Sequence, residues 1–394
     1  MFLHNILPIL MIASPAIWFS FSLISFFVAI QRPPHHPLRW IFSTLHISSA
    51  IKCLTRDDIS AYPAPTAAFV TGLTLHATAT LLIEKRVVTS DPAPSTHRIQ
   101  VTFRMWSDIR RILPAHVVVN SKTRTPNHVR IMFAIRRCVC AISFWVIYRS
   151  TCKVLSDIIY TFNIGLADFD STKQGLLPFM TSRDVGLRAL MAIYWIWHSY
   201  VWLTVPHHVF SILFVSVLRW DSPSEWPALF GSVTAVYSLR TFWGGFWHSL
   251  HVHTFVAYMP SFLHTPGGGT QEAQYGRAIR NALRSLWIFL LSACCHAAVS
   301  WVRFRTSTLR RELRFFLSNY AICLMETILK WMVGVNTIKG DGWFMHTRLL
   351  GCLWVFVVFF CIVPARQYPV IYQCMASQTQ GVSYGNSRHR VYEC

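Results

Sequence analysis

The stretch Thr241-Phe242-Trp243-Gly244-Gly245-Phe246-Trp247-His248 joins four aromatic residues and a histidine through two adjacent glycines. Glycine weakens a regular helix and lets the backbone approach a ligand closely, so we expect an interrupted helix here. Further along the chain, His296 lies in the middle of an apolar run from Leu290 to Ser300. An ionisable side chain at membrane depth is costly, which makes His296 a candidate functional residue. We therefore expect these two stretches to form one reaction centre inside a membrane.

The composition supports a membrane environment. Of the 394 residues, 53% are hydrophobic and 13% are charged, whereas a soluble domain carries about 25% charged residues. The formal net charge is +20, and the basic residues lie mostly between apolar runs. Positive charge in that position marks cytoplasmic loops and attraction to anionic lipid headgroups. The pattern therefore favours membrane lipids, and not nucleic acid, as the partner of the basic residues.

The 11 cysteines form no C-x-x-C pair, and several lie inside apolar runs. Neither a disulfide framework nor a zinc site is indicated, and we expect no bound metal.

The apolar runs predict an all-α polytopic membrane protein with about eight transmembrane helices, because each span needs about 20 residues. We interpret the first run, 8–30, as a signal anchor, and the weaker segment 40–50 as lying at the interface. The run 187–218 is long enough for two passes, with a break expected at Val205-Pro206-His207-His208. The other runs are 64–83, 138–148, 227–237, 283–302, 315–333 and 349–363.

These runs divide the chain into four parts. Residues 1–83 hold the N-terminal transmembrane helices, and residues 84–137 form a basic cytoplasmic loop with an interfacial helix near Thr102 to Leu113. Residues 138–364 are expected to form the catalytic membrane core, and 365–394 a polar tail.

The stretch from Arg240 to His248 resembles the F-W-G-x-x-W-H/N signature of the wax-synthase branch of the membrane-bound O-acyltransferases. His296, in a later apolar helix, then falls where that family carries its catalytic histidine. The resemblance covers residues 222–302. Two departures stand out, since Thr241 occupies a position where Asp is common and Gly245-Phe246 replaces a basic pair.

The resemblance implies acyl transfer from acyl-CoA to a hydroxyl group, in a cavity enclosed by the transmembrane helices of an endoplasmic reticulum protein. His296 would be the general base, and His248 or the Trp247 indole would stabilise the oxyanion. Phe242, Trp243 and Trp247 would bind substrate, while Arg240 is either a CoA phosphate ligand or an interfacial anchor. Acyl-CoA is then a co-substrate, with no bound cofactor. The structural alternatives are a neutral His296 bonded between helices and His248 at the edge of an aromatic belt.

Fungal members of this branch acetylate secondary-metabolite alcohols, which implies acetyl-CoA as donor and a terpenoid or other lipophilic alcohol as acceptor. Bulky rings could fill the tunnel that a long acyl chain needs, and the chain offers Tyr194, Trp195, Trp197, Tyr200 and Trp202. The alternative within the branch is a wax ester synthase that acts on long-chain alcohols.

Two other classes remain open. The series His248-Ser-Leu-His251-Val-His253 resembles part of a di-iron oxidase, but no two of the 18 histidines are four residues apart. A transporter could use Glu326 as a proton relay, although Lys330 lies four residues on and could pair with it inside one helix.

Overall fold

The structure is a computed structural model that describes residues 14–56, 64–88, 95–110, 125–263, 271–332 and 341–379. All regular elements in these ranges are helical, which confirms the all-α class. The helices are α1 (Pro15–Ile30), α2 (Pro37–Thr55), α3 (Ala64–Thr78), α4 (Ser95–Ser107), α5 (Asn127–Thr161), α6 (Ser182–Ile212), α7 (Leu239–Thr241), α8 (Val252–Ala257), α9 (Gln271–Phe304), α10 (Leu309–Met332) and α11 (Asp341–Thr379). A π-helical turn continues α3 (Ala79–Ile83), α6 (Leu213–Val217) and α7 (Phe242–Phe246).

Five of the described helical segments are long and apolar enough to cross a membrane, so the chain is a polytopic membrane protein. They are Pro65–Ile83, Asn127–Thr161, Ser182–Val217, Gly276–Phe304 and Arg348–Ala376. Helix α1 is apolar but shorter, and residues 8–13 of its predicted run lie outside the described residues. Helix α10, which covers most of the predicted run 315–333, is not among the five. The expected number of eight spans is not confirmed.

The prediction of two passes over 187–218 is wrong, because α6 and its π turn form one continuous helix through Pro206. Proline removes a single N–H donor, and long membrane helices tolerate that loss. His208, which follows Pro206 in this continuous helix, also has a hydrogen-bond partner. Arg137 lies 3.0 Å from Nδ1 of His208 and donates a second hydrogen bond to the Trp226 carbonyl.

Several predicted boundaries also differ. Helix α5 begins at Asn127, inside the expected basic loop 84–137, and extends well beyond the predicted 138–148. The helix expected near Thr102 to Leu113 is α4, which ends at Ser107; residues 111–113 lie outside the described residues.

The segments 227–237 and 40–50 and the predicted tail differ as well. The apolar piece 227–237 holds only a short 3-10 turn, Val233–Ala235. The segment 40–50 belongs to the longer helix α2. Helix α11 continues through Pro364 to Thr379, so the first part of the predicted tail is helical.

The chain divides into two compact units. In the first, residues 1–122 and 250–313, α1 lies along α2 and α9 packs on α3 and α8. The buried guanidinium of Arg39 donates to the carbonyls of Arg32, Leu81 and Arg86, each at 2.8 Å. These bonds satisfy carbonyls at a helix end and so hold α2 beside the end of α3.

In the second unit, residues 123–249 and 314–394, α6 packs against both α5 and α11. Arg188 of α6 is 1% exposed. Its guanidinium donates to the carbonyls of Gly175, Leu176 and Cys361, which ties the loop before α6 to α11. The loop is further held by Arg183, whose two bonds to the Asp168 carboxylate lower the pKa of that carboxyl.

Candidate active site

The aromatic motif lies in a tight turn of the second unit, which we call the motif turn (residues 238–248). Glu326 of α10 supplies the acceptors for its first backbone donors. Its Oε1 accepts the N–H of Leu239 at 2.8 Å, and its Oε2 accepts the N–H of Arg240 at 2.9 Å. The indole of Trp354 also donates to Oε1, at 2.7 Å. A carboxylate at the N-terminus of a helical turn is favoured by both hydrogen bonding and the helix dipole.

Thr241 occupies the position where Asp is common, and its side chain caps the start of α7. Its Oγ1 accepts the backbone N–H groups of Tyr237 and Ser238, each at 3.0 Å. In return, the Thr241 N–H donates to Oγ of Ser238 at 3.1 Å. This reciprocal arrangement is a capping box in which a hydroxyl replaces a carboxylate. The Thr241 hydroxyl therefore caps the start of α7.

The two glycines of the motif turn have open surroundings, whereas Gly231 lies directly against the backbone of Gly245. A side chain at Gly244 or Gly245 would meet nothing within 4 Å. A Cβ at Gly231, by contrast, would lie 2.0 Å from the carbonyl oxygen of Gly245. The close approach lets the Gly231 N–H donate to the Phe246 carbonyl at 2.9 Å. Gly231 is therefore required for the segment before α7 to pack against the motif turn.

The motif aromatics pack together as a layered cluster. Phe242 is 3% exposed and stacks on Trp247 with a ring distance of 5.1 Å. Trp247 also stacks on Trp195 of α6, at 5.4 Å and an interplanar angle of 16°. Phe359 of α11 packs its edge against Phe242 at 4.7 Å. Aromatic contacts of this geometry add about 0.5–1.5 kcal/mol each beyond burial.

Trp243 is fixed by a polar partner that the sequence interpretation missed. Its indole Nε1 donates to Oδ1 of Asn319 at 2.9 Å, and Asn319 Nδ2 donates to the Phe315 carbonyl at 2.8 Å. Asn319 is fully buried. A buried amide in an apolar helix usually needs partners on both ends. The placement of Asn319 within an apolar run was the signal that could have identified it.

His248 closes the motif turn. Its ring lies 5.4 Å from that of Trp247 and 5.6 Å, edge to face, from that of Phe230. Arg240 is exposed on the same turn. The second unit thus brings together five of the six residues predicted for the site, namely Phe242, Trp243, Trp247, His248 and Arg240.

His296 lies on α9 of the first unit. Its side chain is exposed, whereas Ala293 and Ala297 on neighbouring positions of the helix are buried. Small buried residues at this spacing allow α9 to approach α3 closely, and those two helices are in contact.

His251, the second histidine of the suggested metal series, packs into the first unit. A Cβ added at Gly72 of α3 would lie 2.4 Å from its Cε1 atom, so the ring fills the space that the glycine leaves. Burial lowers the pKa of His251 to about 4, which keeps the ring neutral at physiological pH. Within the described ranges, no group of three or more His, Cys, Asp or Glu side chains is placed to hold a metal ion.

A small cavity in the second unit contains a histidine that the sequence interpretation did not select. His198 of α6 lines the cavity, together with Tyr194 and Trp195 of the same helix. Its Nδ1 lies 3.0 Å from the hydroxyl of Tyr148 and 3.3 Å from that of Tyr194. Like His296, His198 is an ionisable residue inside a long apolar helix, and that signal was present in the sequence.

The region around the motif turn matches a known protein family. Residues 226–318 match the model of the membrane bound O-acyl transferase family. The matched segment contains both His248 and His296, and its last residue lies just before Asn319.

The curated relatives of the chain include fungal acetyltransferases. The chain is 28% identical over 247 residues to acetyltransferase TRI7 of Fusarium sporotrichioides, covering 57% of this chain and 54% of that protein. It is 27% identical over 243 residues to acetyltransferase eriL of Hericium erinaceus, covering 59% and 58%. A shorter match, 30% over 129 residues, covers 31% of this chain and 29% of O-Mevalon transferase yanI of Aspergillus niger.

The chain spans little more than half the length of the first two of these relatives. No solved structure matches it at a significant level. The chain therefore resembles the acetyltransferase branch of the membrane bound O-acyl transferases, and residues 226–318 carry that family's sequence pattern.

Proposed function

We propose that this protein is an acyltransferase that moves an acyl group from acyl-CoA to the hydroxyl of a lipophilic alcohol. The observation that carries the proposal is the family match over 226–318, which contains the motif turn and the His296 segment. The ordered motif turn supports the proposal, because hydrogen bonds with Glu326, Thr241 and Asn319 hold the turn in one conformation. Catalytic groups need such fixed positions.

We propose a direct transfer by these residues, as the resemblance implies. His296 takes the proton of the alcohol as its oxygen attacks the thioester carbonyl, and a tetrahedral oxyanion forms. His248 or the Trp247 indole donates a hydrogen bond to this oxyanion. Collapse breaks the carbon–sulfur bond, and the proton held by His296 passes to the departing CoA thiolate. No acyl-enzyme is needed, and the phosphates of CoA are ligands for the exposed Arg240.

We further propose acetyl-CoA as the donor and a terpenoid or related secondary-metabolite alcohol as the acceptor. The relatives TRI7 and eriL are both named acetyltransferases. The dense packing of Phe242, Trp247, Trp195 and Phe359 also supports it, since these rings occupy volume that a long acyl chain would need. The reaction belongs in a membrane where lipophilic alcohols dissolve, and we propose the endoplasmic reticulum.

Donor competition tests this proposal. Detergent-purified protein is given equal concentrations of acetyl-CoA and palmitoyl-CoA, with a sesquiterpenoid alcohol and hexadecanol as acceptors, and the esters are identified by mass spectrometry. We expect the acetyl ester of the terpenoid to predominate. Predominance of hexadecyl palmitate would support a wax ester synthase instead. Absence of any ester, with stoichiometric iron or with substrate counterflow in vesicles, would contradict acyl transfer altogether.

A further inference from the structure

The cavity beside His198 has a volume of about 100 Å³ and lies within the second unit. Most of its wall is apolar and includes Leu155 of α5, Met191 of α6 and Ile371 of α11. A polar edge is formed by His198, Tyr194 and Gln367. Binding sites for small molecules typically combine a mostly apolar wall with a few placed polar groups, and this cavity has that character.

A hydrogen-bonded chain fixes the orientation of His198. The Trp202 indole can only donate, and it donates to the Tyr148 hydroxyl oxygen at 3.1 Å. The Tyr148 hydroxyl lies 3.0 Å from Nδ1 of His198, and the Tyr194 hydroxyl lies 3.3 Å from the same atom. These hydrogen bonds hold the imidazole in one position beside the cavity.

The cavity shares a wall with the motif turn. Trp195 lines the cavity and stacks on Trp247 at 5.4 Å. Trp247 is in turn in ring contact with His248. A molecule in the cavity would therefore lie one aromatic layer away from the motif turn of the same unit.

We propose that this cavity binds the acceptor alcohol, with an apolar ring among Leu155, Met191 and Ile371 and an oxygen atom at the edge formed by His198 and Tyr194. This inference rests on the proposed acyl transfer for its substrate class. The acyl chain of a fatty acyl-CoA fits less well, because hydrocarbon laid against polar groups desolvates them without offering a hydrogen bond. The polar edge therefore selects an oxygenated ligand.

The volume of the cavity also limits the size of the ligand. An apolar cavity of about 150 Å³ is known to hold benzene, so about 100 Å³ accepts one small ring after slight expansion. The flexible side chains of Met191 and Met375 in its wall allow that expansion. A sixteen-carbon chain would require the helices to separate. The ligand class is thus an alicyclic alcohol or the terminal ring of a larger one.

Binding can be measured without acyl transfer, which separates this inference from the proposed function. Thermal unfolding of the full-length protein is followed with cyclohexanol or, as a probe of similar shape without oxygen, methylcyclohexane. We expect cyclohexanol to raise Tm by at least twice as much as methylcyclohexane. Ile371→Trp, which fills the cavity from its partly exposed wall, is expected to abolish the shift, and His198→Phe to reduce it to that of methylcyclohexane. His207→Phe, the same change outside the cavity on α6, should keep the wild-type shift.

A kinetic measurement separates the acceptor from the donor. In His198→Phe the KM for the alcohol is expected to rise about tenfold, the effect of one lost hydrogen bond of about 1.4 kcal/mol. The KM for acetyl-CoA should stay within twofold of wild type. A rise in the acetyl-CoA KM alone would overturn the proposal and assign the cavity to the donor. Equal Tm shifts with both probes, or none with cyclohexanol, would also overturn it. Cyclohexanol binding without ester formation would instead contradict only the proposed acyl transfer.

Discussion

Glu326 binds the backbone of Leu239, with Oε1 of the carboxylate 2.8 Å from the amide nitrogen. The second oxygen accepts from Arg240, and the Trp354 indole donates to the first. The carboxylate is therefore used to anchor the motif turn to α10 and α11. In the sequence, Glu326 suggested a proton relay or a pair with Lys330; its contacts give it a structural role at the motif turn instead.

Replacement of Glu326 is expected to disorder the start of the motif turn. Hydrogen bonds to charged groups contribute about 1.5–3 kcal/mol each, so Glu326→Ala should destabilise the protein by about 3 kcal/mol and reduce acyl transfer at least tenfold. Glu326→Gln should fall between Ala and wild type, because one of its two acceptors becomes a donor facing an N–H group. Thermal unfolding and ester formation measure both effects. Lys330→Ala is the matched control, and an effect of Lys330→Ala as large as that of Glu326→Ala would contradict the anchoring role.

Trp243 and Asn319 are expected to behave as one unit. Asn319→Leu removes the buried acceptor of the indole N–H, and Trp243→Phe removes the donor to Asn319. Each change should cost about 1–3 kcal/mol through a buried polar group that loses its bond. The double variant should cost about 1 kcal/mol less than the sum of the two. Strict additivity in a double-mutant cycle of thermal unfolding would show that this hydrogen bond does not couple them.

Gly231 is expected to tolerate no side chain. In Gly231→Ala the Cβ would lie 2.0 Å from the Gly245 oxygen, and a backbone atom cannot move aside as a flexible side chain can. We expect a loss of about 3 kcal/mol or more and a strong decrease in ester formation. Gly186→Ala on α6, where a Cβ meets nothing within 4 Å, is the control and should be neutral or stabilising. Equal thermal unfolding of the two variants would refute the close approach.

His251 is expected to make stability depend on pH. Its pKa is about 4 in the folded protein because of burial, against about 6.5 in an unfolded chain. Between these values the unfolded state binds more protons, so the stabilisation present above pH 6.5 is lost progressively as pH falls towards 4. His251→Phe should flatten the dependence of Tm on pH over this range. An unchanged slope in the variant would show that His251 is not the titrating group.

The sequence predicted the features that depend on local pattern. The apolar runs gave the helical class, and the residues from Arg240 to His248 identified the motif turn, because spacing and residue type suffice for both. Contacts between distant segments were out of reach. Glu326 could be weighed only against Lys330 on its own helix, whereas its partners lie at the start of α7 and on α11.

The continuous helix through Pro206 and the hydrogen bonds of His198 could not be predicted from the sequence for the same reason. Proline favours a break when the segment is considered alone, but α6 continues while Arg137 of α5 satisfies His208. His198 contacts Tyr194 within its own helix, but its shortest hydrogen bond joins it to Tyr148 on α5. For both His208 and His198 a partner lies on α5, far away in the sequence, so no pattern within α6 could predict the contact.

His248 is expected to contribute a hydrogen bond donor that asparagine can partly replace. His248→Ala should lower turnover by about a hundredfold, the lower end of the range for loss of one oxyanion donor. His248→Asn should retain more activity than Ala, because its amide can donate as well. Steady-state ester formation, with Tm as the control for folding, measures the order of the two variants. Equal loss in both, with intact folding, would argue against the donor role.

The most direct test of the account is the rate of acetyl transfer from acetyl-CoA to an alcohol by purified wild-type protein and by His296→Ala. Cys294→Ala, an exposed position on the same helix, serves as the matched control. We predict that His296→Ala unfolds at the wild-type temperature and loses at least about a hundredfold in rate, as expected for removal of a general base, while Cys294→Ala keeps its activity. Turnover by His296→Ala within a few-fold of wild type would contradict the assignment of His296 as the base.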